Sequence, residues 1–370
     1  MSTKSLAILF VIRDGGGTAS VELTVAEKLR ARGHRIALYG PPETAKRAAA
    51  RGFEQTGLPW PNDREPSDLM SQMIVAAQAW PDQIRPALAD ADLVIADCAW
   101  FGVLAVSRAA AVPSVGLMST IYVADTPQFA HNPALVAAAN AVRRALGQAE
   151  VESLTDEMLA TDRLFTLTSR SFELPSVRPP AHVRYVGPQL SESTTSSHPD
   201  LRLPPGDAPV VLVSLSTTDQ DQRELLRQII SEVGSLPVRA VVTLGPIDPD
   251  QLPKPDNVVL QPFASHDQIL PLASLVITHA RHGTVMAAVS AGVPLVCVLM
   301  GRDQPAVAAR VSHHGIGVSV EPDAVPADLQ MAVETVLEDP TYRAAAKRMV
   351  GLLEPAGLVV REVESCPGIS

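Results

Sequence analysis

The chain has 370 residues, is 46% hydrophobic and 19% charged, and carries a formal net charge of −10. That length and composition describe a soluble globular protein of two or three domains with sizeable cores. The acidic balance argues against nonspecific nucleic-acid binding, which needs a basic face, and no stretch is apolar for long enough to span a bilayer.

Lys4 and the apolar run Leu6–Ile12 superficially resemble a signal peptide. The run is short, however, and leads straight into Arg13-Asp14-Gly15-Gly16-Gly17 with no small-residue cleavage site, so it predicts a first buried strand. A glycine turn, a helix over Val21–Arg32 stopped by Gly33, and a second strand at Ile36–Tyr39 complete a βαβ unit. The turn is no dinucleotide fingerprint, since the GxGxxG spacing is absent and no acidic residue ends the second strand. Leu93–Asp97 then runs as a strand through Cys98–Phe101 into a helix and re-enters at Val112-Pro113-Ser114-Val115. Gln189–Pro209 is rich in Ser, Thr and Pro without apolar periodicity and predicts a linker. The expected division is a first domain over 1–190, linker 190–209, a second domain over 210–350 and a tail over 351–370, with Pro340–Leu352 helical. Cys98, Cys297 and Cys366 are odd in number, and buried thiols in a reducing cytoplasm are the plain account of them.

Ala273–Arg310 is the most informative stretch. Leu275-Val276-Ile277 is a short buried strand, His279-Ala280-Arg281-His282-Gly283-Thr284 a polar turn, and Val285–Ala291 helix-compatible, with Thr284 as its expected cap. Two histidines and an arginine beside a helix start suit a phosphate or pyrophosphate. A second strand, Val293–Leu299, ends at Gly301-Arg302-Asp303-Gln304, whose carboxylate and amide face the same crevice beyond the strand ends. An anion turn beside hydroxyl-binding groups suits a nucleotide sugar. The stretch LVITHARHGTVMAAVSAGVPLV echoes LVIADCAWFGVLAVSRAAAVPSV about 180 residues earlier, which predicts two doubly wound α/β domains.

THARHGTVMAAVSAGVPLVCVLMGRDQ resembles the THGGHGT…AAGVP…PMGRDQ pattern of the GT-B fold antibiotic and macrolide glycosyltransferases. VVLVSLST at 210–217, FASHDQILP at 263–271, HVRYVGP at 182–188 and AEKLRARGH at 26–34 extend the resemblance over nearly the whole chain. It implies two Rossmann-like domains facing each other across a cleft, the first for an acceptor and the second for the donor. It also implies that a terminal helix crosses back onto the first domain. By place in the motif, His279 would bind the donor pyrophosphate with the amides of Gly283 and Thr284 and the Thr284 hydroxyl. Asp303 and Gln304 would bind sugar hydroxyls, Phe263 would meet the base, and Thr217 would line the phosphate cleft. Ala280 and Arg281 stand where the family has glycines, as does Ser216; Arg281 either contacts the pyrophosphate or points to solvent. The co-substrate implied is a TDP- or UDP-sugar, with no metal and no other cofactor. Asp219/Asp221 and Asp248/Asp250 lie in polar or proline-rich loops.

Relatives of this kind carry GHxxP in the first turn, with the histidine as base and a partner aspartate. Thr18 falls on that histidine, Val21 on the proline and Asp97 on the aspartate. A threonine hydroxyl cannot serve as a general base near neutral pH, which leaves three readings open. Asp97 is the base, directly or through Thr18 or water, its pKa raised beside Trp100 and Phe101; or Asp14 serves; or an amine, hydroxylamine or phenol acceptor needs little help. Acceptor contacts are expected from Met118–Pro133, including Tyr122, Phe129 and His131. The resemblance thus implies an inverting transfer of a (deoxy)sugar to a small secondary metabolite in the cytoplasm, and a homodimer is compatible with it. An idle nucleotide-sugar-binding auxiliary protein is the rival, and a GT-B nucleotide-sugar epimerase the third option.

Overall fold

The computed structural model describes residues 5–15, 17–122, 130–190, 200–215, 222–301, 303–355 and 357–368. The chain divides into two compact units: Met1–Arg170 with Pro175–Gln189 and Glu354–Ser370, and Leu190–Leu353 with Ser171–Leu174.

In the first unit the strands are β1 (Ala7–Val11), β2 (Arg35–Gly40), β3 (Gln55–Gly57), β4 (Leu93–Asp97), β5 (Ser114–Met118), β6 (Arg163–Thr166) and β7 (Val183–Tyr185). They form one parallel sheet in the order β3-β2-β1-β4-β5-β6-β7. Every residue of β4 and β5 is buried, as central strands covered by helices on both faces must be. The first helix begins at Thr18 rather than Val21, which brings Thr18 into its opening turn. Trp60, Trp80 and Trp100, the chain's three tryptophans, pack as one cluster with ring centroids 4.7–6.2 Å apart.

Residues expected as a tail are instead part of this unit. Val359 and Val363 of the helix Leu358–Glu364, with Cys366, are buried in the same core as Leu23, Leu29 and Phe10. Arg32 Nε meets Glu364 Oε1 at 2.9 Å on the rim. Gly187, at φ +75°, makes room for the returning chain, since a Cβ there would lie 2.8 Å from the Glu354 carbonyl oxygen. The helix that returns to the first unit is therefore Leu358–Glu364, while Pro340–Val350 counts with the second.

The second unit holds β8 (Val210–Ser214), β9 (Arg239–Thr243), β10 (Val258–Gln261), β11 (Ala273–Thr278), β12 (Leu295–Val298) and β13 (Gly317–Val320). They form a second parallel sheet in the order β10-β9-β8-β11-β12-β13, so both sheets are doubly wound as expected. Val211, Val213, Leu275, Ile277, Val296 and Val298 alternate with residues on the opposite face to build one side of its core. Ser171–Leu174 joins this unit through a buried ion pair: Glu173 Oε2 accepts from Arg310 Nε at 2.8 Å and from Nη2 at 2.5 Å. No helix among the described residues is long and apolar enough to cross a membrane.

Candidate active-site clusters in the two units

β1 and β4 are neighbours at the switch point of the first sheet, so the turn after Val11 meets the end of β4 at one sheet edge. Asp97 ends β4 and is 1% exposed. Its Oδ1 accepts from the Ala99 amide at 2.7 Å and its Oδ2 from Arg13 Nε at 2.9 Å. Arg13 Nη2 donates to Thr18 Oγ1 at 3.2 Å. Gly15 leaves room here, since a Cβ would fall 2.5 Å from Arg13 Nη1 and 3.0 Å from Thr18 Oγ1. The glycine turn seats an arginine. Beneath it Glu22, with no exposed surface, accepts from the Arg13 amide at 2.7 Å through Oε2 and from Ser119 Oγ at 3.2 Å through Oε1. The Glu22 and Asp97 carboxyls are within hydrogen-bonding reach of each other. Burial, then the Asp97 charge and hydrogen bond, push the Glu22 carboxyl well above its ordinary range despite Arg13. Burial works against the Arg13 charge too, but Asp97 and Glu22 outweigh it and hold the guanidinium firmly protonated.

The Arg13 guanidinium contacts both Thr18 and Asp97, and as a group that stays charged and accepts no proton it offers no relay between them. Asp14 lies apart from the buried cluster, at the rim, where its Oδ1 accepts from Arg47 Nη1 at 2.8 Å. Of the expected acceptor residues, Tyr122 is buried, His131 is exposed, and Phe129 lies outside the described residues.

In the second unit β8 and β11 flank the corresponding switch point. β11 leads through His279 and Ala280 into the helix His282–Ser290, whose first intrahelical bond joins the Val285 amide to the Arg281 carbonyl. Thr284 is therefore the third residue of the helix and not its cap; Arg281 holds the cap position without a capping side-chain bond. The earlier start leaves the Gly283 and Thr284 amides without acceptors inside the helix, as an anion turn needs. A Cβ at Gly283 would meet nothing within 4 Å, so the helix start opens onto space. His279 is 1% exposed and Arg281 half-buried.

Ala280 keeps the left-handed backbone its glycine counterparts would favour, with φ +61°, and is fully buried. Ala280→Gly is expected to raise stability by up to about 1 kcal/mol, since an L-side chain there costs about 1–2 kcal/mol and glycine's extra unfolded-state freedom takes part back. Thermal unfolding measures it, and a clear loss of stability would refute the strain.

After β12, Gly301 at φ +122° turns the chain into the helix Gln304–His313. Asp303 stands at the cap position but makes no capping side-chain bond. Gln304 is buried, and its Oε1 accepts from the Met300 amide at 2.6 Å, which fixes its side chain at the strand end. Phe263 is 42% exposed, so it is no core residue. Thr217, Ser216, Asp219 and Asp221 lie outside the described residues. His314 is structural: Nε2 lies 3.0 Å from the Phe172 carbonyl, and its ring stacks on Phe172.

Arg13, Glu22 and Ser119 escape a reading of the sequence. A signal exists for Glu22, which sits on the buried stripe of its helix with Val25, Ala26 and Leu29. An acidic residue on an apolar stripe needs a partner. Nothing local marks Ser119, whose role depends on β5 ending beside β1's helix.

Two parallel-sheet, doubly wound α/β units are the architecture of the GT-B fold. Residues 227–355 match the family described as "Erythromycin biosynthesis protein CIII-like, C-terminal domain". The chain is 26% identical to 4'-demethylrebeccamycin synthase of Lentzea aerocolonigenes, covering 98% of this chain and 99% of that protein. It is 25% identical to demethyllactenocin mycarosyltransferase of Streptomyces fradiae, over 96% and 85%. The crystal structure of CalG4, the calicheamicin glycosyltransferase, superposes with a TM-score of 0.81 at 25% identity, over 99% of both chains. The chain is a GT-B glycosyltransferase, similar throughout its length to those of antibiotic biosynthesis.

Proposed function

We propose that the chain moves a sugar, with inversion at the anomeric carbon, from a TDP- or UDP-linked (deoxy)sugar to a small secondary-metabolite aglycone. The carrying observation is the start of the helix His282–Ser290, where amides of Gly283 and Thr284 open outward beside His279 and Arg281. There the leaving pyrophosphate would gather its negative charge, and preorganised donors assist most where charge develops. Asp303 and Gln304, the latter fixed by the Met300 amide, would take the sugar hydroxyls. Thr217 and Phe263 complete the donor side, against phosphate and base. Relatives named as 4'-demethylrebeccamycin synthase and as the calicheamicin glycosyltransferase support an aglycone of that kind. No metal enters this reading. An idle sugar-nucleotide-binding role draws on the absence of a histidine at position 18 and on Ala280, Arg281 and Ser216 standing at family glycines.

Calorimetry with TDP and UDP is expected to show binding that EDTA leaves unchanged and that His279→Ala weakens. Magnesium-dependent binding, or full affinity in that variant, would remove the donor-site assignment. Asp303→Ala should weaken a nucleotide sugar by about 1–3 kcal/mol and leave the free nucleotide diphosphate nearly unaffected, because only sugar hydroxyls are assigned to it. Equal losses for both ligands would make Asp303 structural.

A further inference from the structure

The sequence leaves the base for the acceptor hydroxyl open, and the geometry narrows it. Asp97 holds the Arg13 guanidinium on Oδ2 and the Ala99 amide on Oδ1, and neither donor is a hydroxyl that can relay a proton. Thr18 faces a permanent cation. Asp14 is paired with Arg47 at the rim; the other carboxyl of the buried cluster is Glu22, and a hydroxyl leads to it from the half-buried end of β5, where Ser119 donates to Oε1. Ser119 is also the first residue after β5, at the start of the stretch expected to meet the acceptor.

Resting on the transfer reading above, we propose that Glu22 takes the acceptor's proton through the Ser119 hydroxyl, with Asp97 and Arg13 positioning it. The acceptor hydroxyl donates to Ser119 Oγ while Ser119 donates to Glu22 Oε1. As the acceptor oxygen bonds to the anomeric carbon, the bond to the pyrophosphate oxygen breaks and its electron pair leaves with the phosphate. The acceptor's proton passes to Ser119 as the Ser119 proton passes to Glu22, which returns it to solvent by the same route. Glu22 and Ser119 replace the absent histidine in function, not in position.

The groups facing Glu22 are Arg13 after β1 and Asp97 and Cys98 at the end of β4, the Cys98 thiol being kept neutral by burial. Burial raises the proton affinity of Glu22 and Asp97 does the same, so the carboxyl is a stronger base than an ordinary glutamate. The raised value gives two opposite pH dependences. Transfer needs ionised Glu22 and falls as pH drops through its raised pKa. Folding favours protonated Glu22, since the native state then holds a proton the unfolded chain has lost. Stability therefore falls as pH rises from the ordinary carboxyl range to the raised value. Glu22→Gln, which mimics the neutral acid, removes both slopes.

The test uses the full chain, TDP-glucose, and two acceptors: para-nitrophenol, ionised without help, and para-nitrobenzyl alcohol, which needs a base. Glu22→Gln is expected to lose alcohol transfer by about a hundredfold or more with its acid limb gone, while nitrophenolate transfer changes by no more than about threefold. Ser119→Ala should show the same selectivity to a smaller degree. The thermal midpoint of Glu22→Gln should equal or exceed wild type at alkaline pH, which separates lost chemistry from lost folding. Equal losses on both acceptors, or undiminished alcohol transfer, would overturn the assignment. A wild type that transfers to neither acceptor would overturn the transfer reading itself. Carbon-13 spectra read the Glu22 carboxyl directly, and titration in the ordinary carboxylate range would overturn the proton assignment whatever the turnover.

Discussion

Asp97→Asn should lower turnover on an alcohol acceptor by about two orders of magnitude and move the acid limb of the rate to lower pH, with donor affinity unchanged. The expectation comes from charge, since Asn can still accept from the Ala99 amide through its carbonyl oxygen. What disappears is the anion facing both Arg13 and Glu22. Arg13 then has one carboxylate left within reach, Glu22, and a guanidinium beside a carboxylate lowers its proton affinity. Glu22 becomes a weaker base held in an ion pair, so the limb shifts down and the rate with it. If the limb vanishes together with the rate, Asp97 itself takes the acceptor's proton, and a limb left in place would mean that the Asp97 charge does not set the proton affinity of Glu22. If Asp14→Asn abolishes turnover while Asp97→Asn does not, the base belongs to the glycine turn. Thr18→His alone is not expected to restore a histidine-aspartate dyad, because the new ring would face the Arg13 guanidinium and not Asp97. A gain in that variant would mean that Arg13 moves away.

The fold is largely legible in the sequence, and the reason lies in the strands. β4, β5, β8 and β12 are buried along their whole length, so they read as short continuous apolar runs between turns, and the helices between them carry obvious apolar stripes. The donor turn is legible because all its polar groups sit within a few residues of each other in sequence. Its detail is not: Thr284 reads as a cap, yet the helix takes up at His282 because the chain turns at Ala280 in a left-handed conformation that no sequence rule assigns to alanine. The acceptor-side cluster is half legible. Position along the chain points to Asp97 and Thr18, but Arg13, Glu22 and Ser119 come from three separate elements that meet only once β1, β4 and β5 are laid side by side. The destination of the last residues is hidden for the same reason, since Val359 and Val363 mark an apolar helix without saying which sheet it covers.

The largest effect on stability is expected from Glu173→Ala, which should cost the second unit about 3–5 kcal/mol. Arg310 and Glu173 have side chains only 2% and 0% exposed. Arg310 spends Nε and Nη2 on Glu173 and Nη1 on the Ala306 carbonyl at 2.8 Å, so removing the carboxylate strands a charge in a site with almost no water. Burying such a pair contributes little net stability against a well-packed apolar pair, while breaking it leaves one desolvated ion uncompensated, and the asymmetry sets the size of the loss. Glu173→Ala paired with Arg310→Met should therefore recover much of it, a coupling that a double-mutant cycle on denaturant midpoints measures. Glu173→Ala is also expected to weaken nucleotide-sugar binding, since Arg310 lies on the helix that opens with Asp303 and Gln304. The three tryptophans all belong to the first unit, so their fluorescence should report less of the loss than circular dichroism does. A single Glu173→Ala change that costs under about 1 kcal/mol would mean the pair is hydrated in solution.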